Sequence, residues 1–375
     1  MASSDRFHAK RPLALVVLTL VVFLVLDNGI FRSGLYANIE STKSVAGHFS
    51  AVAGWCLNAK PSPKRDVLVL GHSKVEAALS PRQFDEENPD SHLRLVMGSS
   101  GGTEEKMWFY FLKHVDPNRS RYAAIVIPLD TYITPPSGTD CDNLIADAQF
   151  LTPMLHPRDW SDFANSYTNP SVRQKVLLGM AASSHLYAVD LQDFILHPVE
   201  RFRDVEFAKQ SGPSYLYNWG GYAGNLDNLV LDFDALKIVR APKHLDAFRR
   251  GETEYRMKPL PADKVVGWTY RYHAFRKQWL TRIVDYYAGS ATKVVFVQVP
   301  RWPFDMPVLK PIPNAPSVLE FIKPSANVVV IDEHEFDDLE SPHYFYDVLH
   351  VNALARHEFT ARFASKLRSA LGDAR

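Results

Sequence analysis

Three side chains in this sequence have the types and the setting for nucleophilic acyl chemistry: Ser73, Asp347 and His350. Ser73 follows the run Asp66-Val67-Leu68-Val69-Leu70-Gly71-His72 and opens a helix-forming stretch that ends at Pro81. An apolar run, a glycine and helix formers read as buried strand, tight turn and helix, which puts the serine at the carboxyl end of a strand. Ligands of open α/β sheets sit at such ends, because the next helix offers unpaired N–H groups and the positive end of its dipole. Serine is also a preferred N-cap, so a structural role for Ser73 stands beside the nucleophilic one. The segment Tyr344-Phe345-Tyr346-Asp347-Val348-Leu349-His350-Val351-Asn352 puts an acid and an imidazole three residues apart. A helical run from Ala353 to Leu371 follows, with Phe359, Phe363 and Leu367 at helical spacing, so both side chains can point into one site. An imidazole titrates near neutrality and can take the serine proton, while the carboxylate fixes its tautomer.

The elements that must carry these residues follow from the same pattern. Leu93 to Met97 is a second apolar strand, which empties into Gly98-Ser99-Ser100-Gly101-Gly102. Thr103 then begins a helix whose Trp108, Phe109, Phe111 and Leu112 form a buried face. The glycines permit positive φ and close approach of backbone N–H groups to a bound oxygen; a plain strand-to-helix link is the other reading. Tyr122 to Asp130 is a third strand, ending at Thr131. Strands spaced in this way with helices between them are consecutive βαβ units and predict a parallel sheet. From Pro135 to Pro261 proline, aromatic and polar residues take over. Within them Gly212 to Tyr222 is dense in rings that suit either a sugar-stacking groove or a packed loop. Regular order returns with a helix from Tyr270 to Ala288 and a strand from Thr292 to Pro300, with Arg301 and Trp302 at its carboxyl end as candidate substrate contacts. Asn327 to Asp332 gives a further strand.

The 375 residues, 46% hydrophobic and 22% charged, describe a globular protein. Lys+Arg and Asp+Glu both number 42, so no overall basic field argues for nucleic acid. At the amino terminus Arg6, His8, Lys10 and Arg11 precede fifteen uncharged residues, Pro12 to Leu26. Flanking residues extend this run to the length of one transmembrane helix. A cleaved signal peptide is the rival, but Ala51-Val52-Ala53 lies too far downstream to be its cleavage site. The reading is therefore an uncleaved anchor with the bulk of the chain outside: tail and anchor at 1–31, a stalk at 32–63, and a catalytic domain at 64–375 with an insert at about 135–261. Cys56 and Cys141 are the only cysteines; an exported chain could join them, two separate thiols fit equally, and no metal spacing is present.

A serine after the first strand and Asp-x-x-His before the last helix resemble the SGNH (GDSL-like) hydrolase and acyltransferase superfamily. The likeness is greatest to its membrane-anchored bacterial branch, which includes alginate O-acetyltransferase-like proteins and the D-alanyl transfer protein of teichoic acid synthesis. The matching segments are roughly 66 to 131 and 292 to 368, and Gly71-His72-Ser73 stands where the family reads Gly-Asp-Ser. The resemblance implies a three-layer flavodoxin-like α/β fold with a parallel central sheet, behind one N-terminal transmembrane helix. It implies Ser73 as nucleophile, His350 as base and Asp347 as its partner, with an oxyanion hole from the N–H groups of Ser73 and Gly101, or Gly98 in its place. The family asparagine at the third strand end is missing; Asp130 or Thr131 occupies its position, as a possible acceptor contact. No cofactor or metal is implied. The expected activity is O-acyl transfer, O-acetyl above all, to a polysaccharide or cell-wall glycan outside the bacterial inner membrane. A membrane-bound O-acyltransferase would be the partner that supplies the acyl group. A carbohydrate esterase, or a non-catalytic glycan-binding or assembly subunit on the same fold, are the alternatives.

Overall fold

The computed structural model describes residues 5–129, 143–211, 217–258, 262–304, 319–323 and 325–373. The chain forms two compact units, one of Met1–Ala51 with Asp142–Gln210, the other of Val52–Cys141 with Ser211–Arg375.

The second unit is built on five parallel strands: β1 (Arg65–Gly71), β2 (Leu93–Ser99), β3 (Ala124–Leu129), β6 (Lys293–Gln298) and β7 (Val328–Val330). Their spatial order is β2-β1-β3-β6-β7. Counted within the sheet alone, this is 2-1-3-4-5, the doubly wound order whose direction of winding reverses beside the first strand. Both faces are covered. Val67 and Val69 of β1 share a core with Phe359 and Phe363 of the last helix, α13 (Ala353–Ala370). From the alternate positions Leu68 and Leu70, together with Gly98 of β2, meet Phe111 of α5 (Glu105–Val115). Burial on both faces explains why β1 and β3 read as unbroken apolar runs. Two short helices, α3 (Ser73–Ala78) and α4 (Pro81–Glu87), join β1 to β2. A two-stranded antiparallel ladder, β4 (Val230–Asp232) with β5 (Lys237–Arg240), precedes α11 (Ala247–Met257) and α12 (Ala262–Tyr287).

The first unit opens with α1 (Asp5–Arg32), in which Pro12–Arg32 is long and apolar enough to cross a membrane, at a mean hydropathy of 2.5. Helix α2 (Val45–Leu57) crosses the boundary between the units. The rest of the first unit is α6 (Ala146–Leu151), α7 (Trp160–Asn165), α8 (Pro170–Ala181), α9 (Ala188–Leu196) and α10 (Pro198–Ser211). This differs from the division read off the sequence into a stalk at 32–63 and one insert at 135–261. The reason is polar: Asp27 accepts from the Ser183 and Ser184 N–H groups at 2.5 and 2.9 Å, and Asn28 donates to the Ala181 carbonyl at 2.9 Å. Arg32 donates to Met180 and Thr152 carbonyls at 2.7 and 3.0 Å. Groups on an apolar helix find backbone partners in 142–210, so that half of the insert folds with α1.

Candidate active site

The backbone that delivers Ser73 depends on a glycine. Gly71 has φ +139°, and a Cβ there would lie 2.6 Å from Val75 Cγ2 and 2.8 Å from a Pro128 ring carbon. Its carbonyl accepts from the Ser100 N–H and the Thr103 hydroxyl, both at 2.9 Å, so the loop after β2 is fastened beside the end of β1. Trp108 Nε1 donates to the same Thr103 hydroxyl at 3.0 Å and completes that corner. His72, not Ser73, caps α3: its Nδ1 accepts from the Lys74 N–H at 3.3 Å. Ser73 is the first helical residue, and its hydroxyl is left to face elsewhere.

It faces His350, whose Nε2 is 2.9 Å from Ser73 Oγ. On the other side of the ring Nδ1 is 3.0 Å from each oxygen of Asp347. A carboxylate only accepts, so Nδ1 carries the ring proton and Nε2 presents its lone pair to the serine. Asp347 Oδ1 also accepts the Leu349 and His350 backbone N–H groups, each at 2.8 Å, and Oδ2 takes Arg249 Nε of α11 at 3.2 Å. Burial would raise this carboxyl, but the imidazole and the two N–H groups outweigh it and hold the pKa below the usual aspartate range. The Asp347 side chain is 7% exposed and the His350 ring 17%, so the imidazole is reachable while the acid is shielded.

Residues beyond these three align them. Asn352 caps α13 through the Leu354 and Ala355 N–H groups at 3.1 Å, while its amide donates to the Gly224 and His343 carbonyls at 3.0 and 2.7 Å. Arg356, one turn into α13, donates to the Glu76 carbonyl and to that of Ala77 at 3.4 Å, satisfying the open end of α3. The helix that starts just after His350 is thereby tied to the helix that starts at Ser73. Above the imidazole, Tyr222 lies 5.7 Å away and stacks on Tyr346 at 4.5 Å; His244 stacks on the same tyrosine at 4.6 Å. Glu76, on the turn after Ser73, is raised by burial, which outweighs the opposing pull of the Ser99 hydroxyl and of the Arg356 charge.

The other expected contacts divide. Gly101 lies in the loop next to Ser100, with open space where a Cβ would go. Gly98 lies inside β2, where a Cβ would strike Leu68 at 2.8 Å and Phe111 at 3.3 Å. Asp130, Thr131 and Cys141 fall outside the described residues, and Cys56 is a buried free thiol. The Arg301 guanidinium is held by Asp337 and by Glu340, the latter at 2.5 Å. Trp302 is buried, with Lys74 Nζ 4.9 Å from its ring centre. Arg249, His244 and Glu76 were not anticipated, and of these only Glu76, a charge three residues past the serine, left a local trace in the sequence; Tyr222 closes the ring-dense stretch that begins at Gly212. No protein-family model and no curated protein matches the chain.

Proposed function

We propose that this chain is a serine O-acyltransferase of the SGNH type, anchored in the bacterial inner membrane by α1, which transfers acetyl or a similarly small acyl group to a polysaccharide or cell-wall glycan outside the cytoplasm. The observation that carries the catalytic part is the continuous line from Ser73 Oγ through His350 to Asp347, at 2.9 and 3.0 Å. The 2-1-3-4-5 parallel sheet with the serine after its first strand supports the superfamily assignment. The apolar length of Pro12–Arg32 supports the anchor.

In the first half-reaction Ser73 Oγ attacks the carbonyl carbon of an acyl ester, and its proton passes to His350 Nε2. The oxyanion that forms is met by the Ser73 N–H, at the start of α3, and by the Gly101 N–H; one such donor contributes about 3 kcal/mol in other acyl-transfer sites. As the intermediate collapses, the donor's alkoxide leaves with the proton from Nε2, and acyl-Ser73 remains. A sugar hydroxyl then repeats the sequence: its proton goes to Nε2, its oxygen bonds the acyl carbon, and Ser73 Oγ departs and recovers the proton. Asp347 stays ionised throughout and steadies the imidazolium. Tyr222, stacked on Tyr346 beside the imidazole, is the aromatic group placed to pack against a sugar ring.

The test is mass spectrometry of the purified chain with an activated acetyl ester, with and without an oligosaccharide acceptor. A transferase gives an acetyl-Ser73 adduct that persists in water and is discharged by acceptor. Rapid hydrolysis in both conditions identifies an esterase, and no adduct at all identifies a non-catalytic subunit.

A further inference from the structure

The first unit combines a candidate span with exposed apolar side chains at one of its ends. Pro12–Arg32 is 21 residues, about 31 Å of helix, which matches a hydrocarbon core of about 30 Å. The groups that fasten the lobe 142–210 to this helix, Asp27, Asn28 and Arg32, all lie within its final turn and a half, about 8 Å of rise. The turn of chain they hold, Met180 to Ser184, is therefore level with the outermost part of the span and not beyond it. Helix α9 begins four residues later. Its Asp190 accepts from Arg201 of α10 at 3.0 Å, and Arg201 also donates to the Ile39 carbonyl at 2.9 Å. Both helices are thus pinned to the first residues after the span.

These two helices carry large apolar side chains in solvent. Val189 is 82% exposed, Val199 71% and Phe207 69%, with Ile195, Leu196 and Phe202 similarly bare. Phe202 of α10 packs edge-on against Phe194 of α9 at 5.7 Å, which joins the two helices through an apolar contact. Exposed apolar groups of this size mark an interaction surface.

We propose that α9 and α10 lie in the membrane interface, with Val189, Ile195, Leu196, Val199 and Phe202 in the headgroup and upper acyl region of the bilayer that α1 crosses. The occupant is lipid because the anchor's own hydrogen bonds fix the lobe at interfacial depth; interfacial helices bury their apolar side about 5–10 Å into that region. The protein is then held at two places, a span and a surface lobe, and the lobe cannot swivel freely about α1. This inference rests on reading α1 as a membrane span.

The test places an environment-sensitive fluorescent amino acid, by codon suppression, at Leu18, Val199 or Phe202 of the full chain reconstituted in phosphatidylethanolamine and phosphatidylglycerol vesicles. Lipids brominated near the headgroup or near the bilayer centre serve as quenchers. The Leu18 reporter is expected to lose most emission to the deep bromines, and the Val199 and Phe202 reporters to the shallow ones. If Leu18 is quenched while Val199 and Phe202 ignore both lipids, the interfacial lobe is wrong and the anchor stands. If Leu18 is not quenched, the anchor reading fails and this proposal with it. Reporters at Val199 and Phe202 that are silent in these vesicles but shielded in native membranes would make the occupant a membrane protein and overturn the lipid assignment.

Discussion

Replacing Asp347 by Asn tests the site more sharply than removing the nucleophile, because the change keeps the shape and alters only the direction of the hydrogen bonds. All four groups around this carboxylate are donors: the Leu349 and His350 N–H groups on Oδ1 at 2.8 Å, the imidazole Nδ1 at 3.0 Å, and Arg249 Nε on Oδ2 at 3.2 Å. In the variant the two short backbone bonds claim the amide oxygen, which turns the NH₂ toward Nδ1–H and Arg249. Donor meets donor. The ring escapes by changing tautomer, so that Nδ1 accepts from the amide and the proton moves to Nε2, aimed at Ser73. An imidazole in that form cannot accept the serine proton. The same substitution in the trypsin triad lowers kcat by about 10⁴, close to 5.4 kcal/mol at 1.36 kcal/mol per decade, and a loss of that order is expected here. The assay is the stopped-flow burst of nitrophenol from p-nitrophenyl acetate, with melting measured on the same samples. Asp347 has a depressed pKa in the folded state, so it stabilises the fold above its unfolded value of about 3.9 and loses that contribution as pH falls through the folded one. Asp347→Asn is therefore expected to melt below wild type at pH 7, with the gap closing below about pH 4. A folded variant with a wild-type burst would refute the role assigned to the acid.

Ser73→Ala is expected to abolish the burst and the acetyl adduct while shifting stability by less than about 0.5 kcal/mol, since His72 supplies the cap; thermal melts and intact-mass spectra check both halves. Gly71→Ala is expected to cost more than about 2 kcal/mol, combining a disfavoured φ with contacts of 2.6 and 2.8 Å, and urea titration would reveal it as a lower midpoint. Glu76→Gln should raise the melting temperature at pH 7 but not at pH 4. A carboxyl whose folded pKa is raised destabilises only where it must ionise, above its unfolded value of about 4.3. Equal shifts at both pH values would remove charge burial as the cause.

What the sequence disclosed was what short-range pattern can encode. Ser73 stands out because an apolar run breaks at a glycine just before it, and Asp347 with His350 because they are three residues apart ahead of an amphipathic helix. The parallel sheet followed from the same runs. Local pattern is silent where a partner is distant. Arg249 reaches Asp347 across 98 positions, and Asn28 reaches Ala181 across 153, so neither the second support of the acid nor the pairing of 142–210 with α1 leaves a periodic signature. Two further details have the same origin. A serine opening a helix also reads as its cap, but it is the preceding His72 whose Nδ1 accepts from the Lys74 N–H, at 3.3 Å. An arginine at a strand end reads as a ligand contact, and pattern gives no sign that Asp337 and Glu340, later in the chain, pair with Arg301.

The bond between His350 and Ser73 joins positions 277 apart, and Arg356 is what fastens their two helices. A chain made from its amino end therefore presents the serine long before the imidazole exists. Until α13 has emerged and laid Arg356 against the end of α3, Ser73 is an ordinary alcohol, inert toward any acyl ester it meets. On the proposed function, reactivity would be timed by topology: it would wait for the C-terminal helix to dock, and chains clipped before that helix would carry no acylating activity.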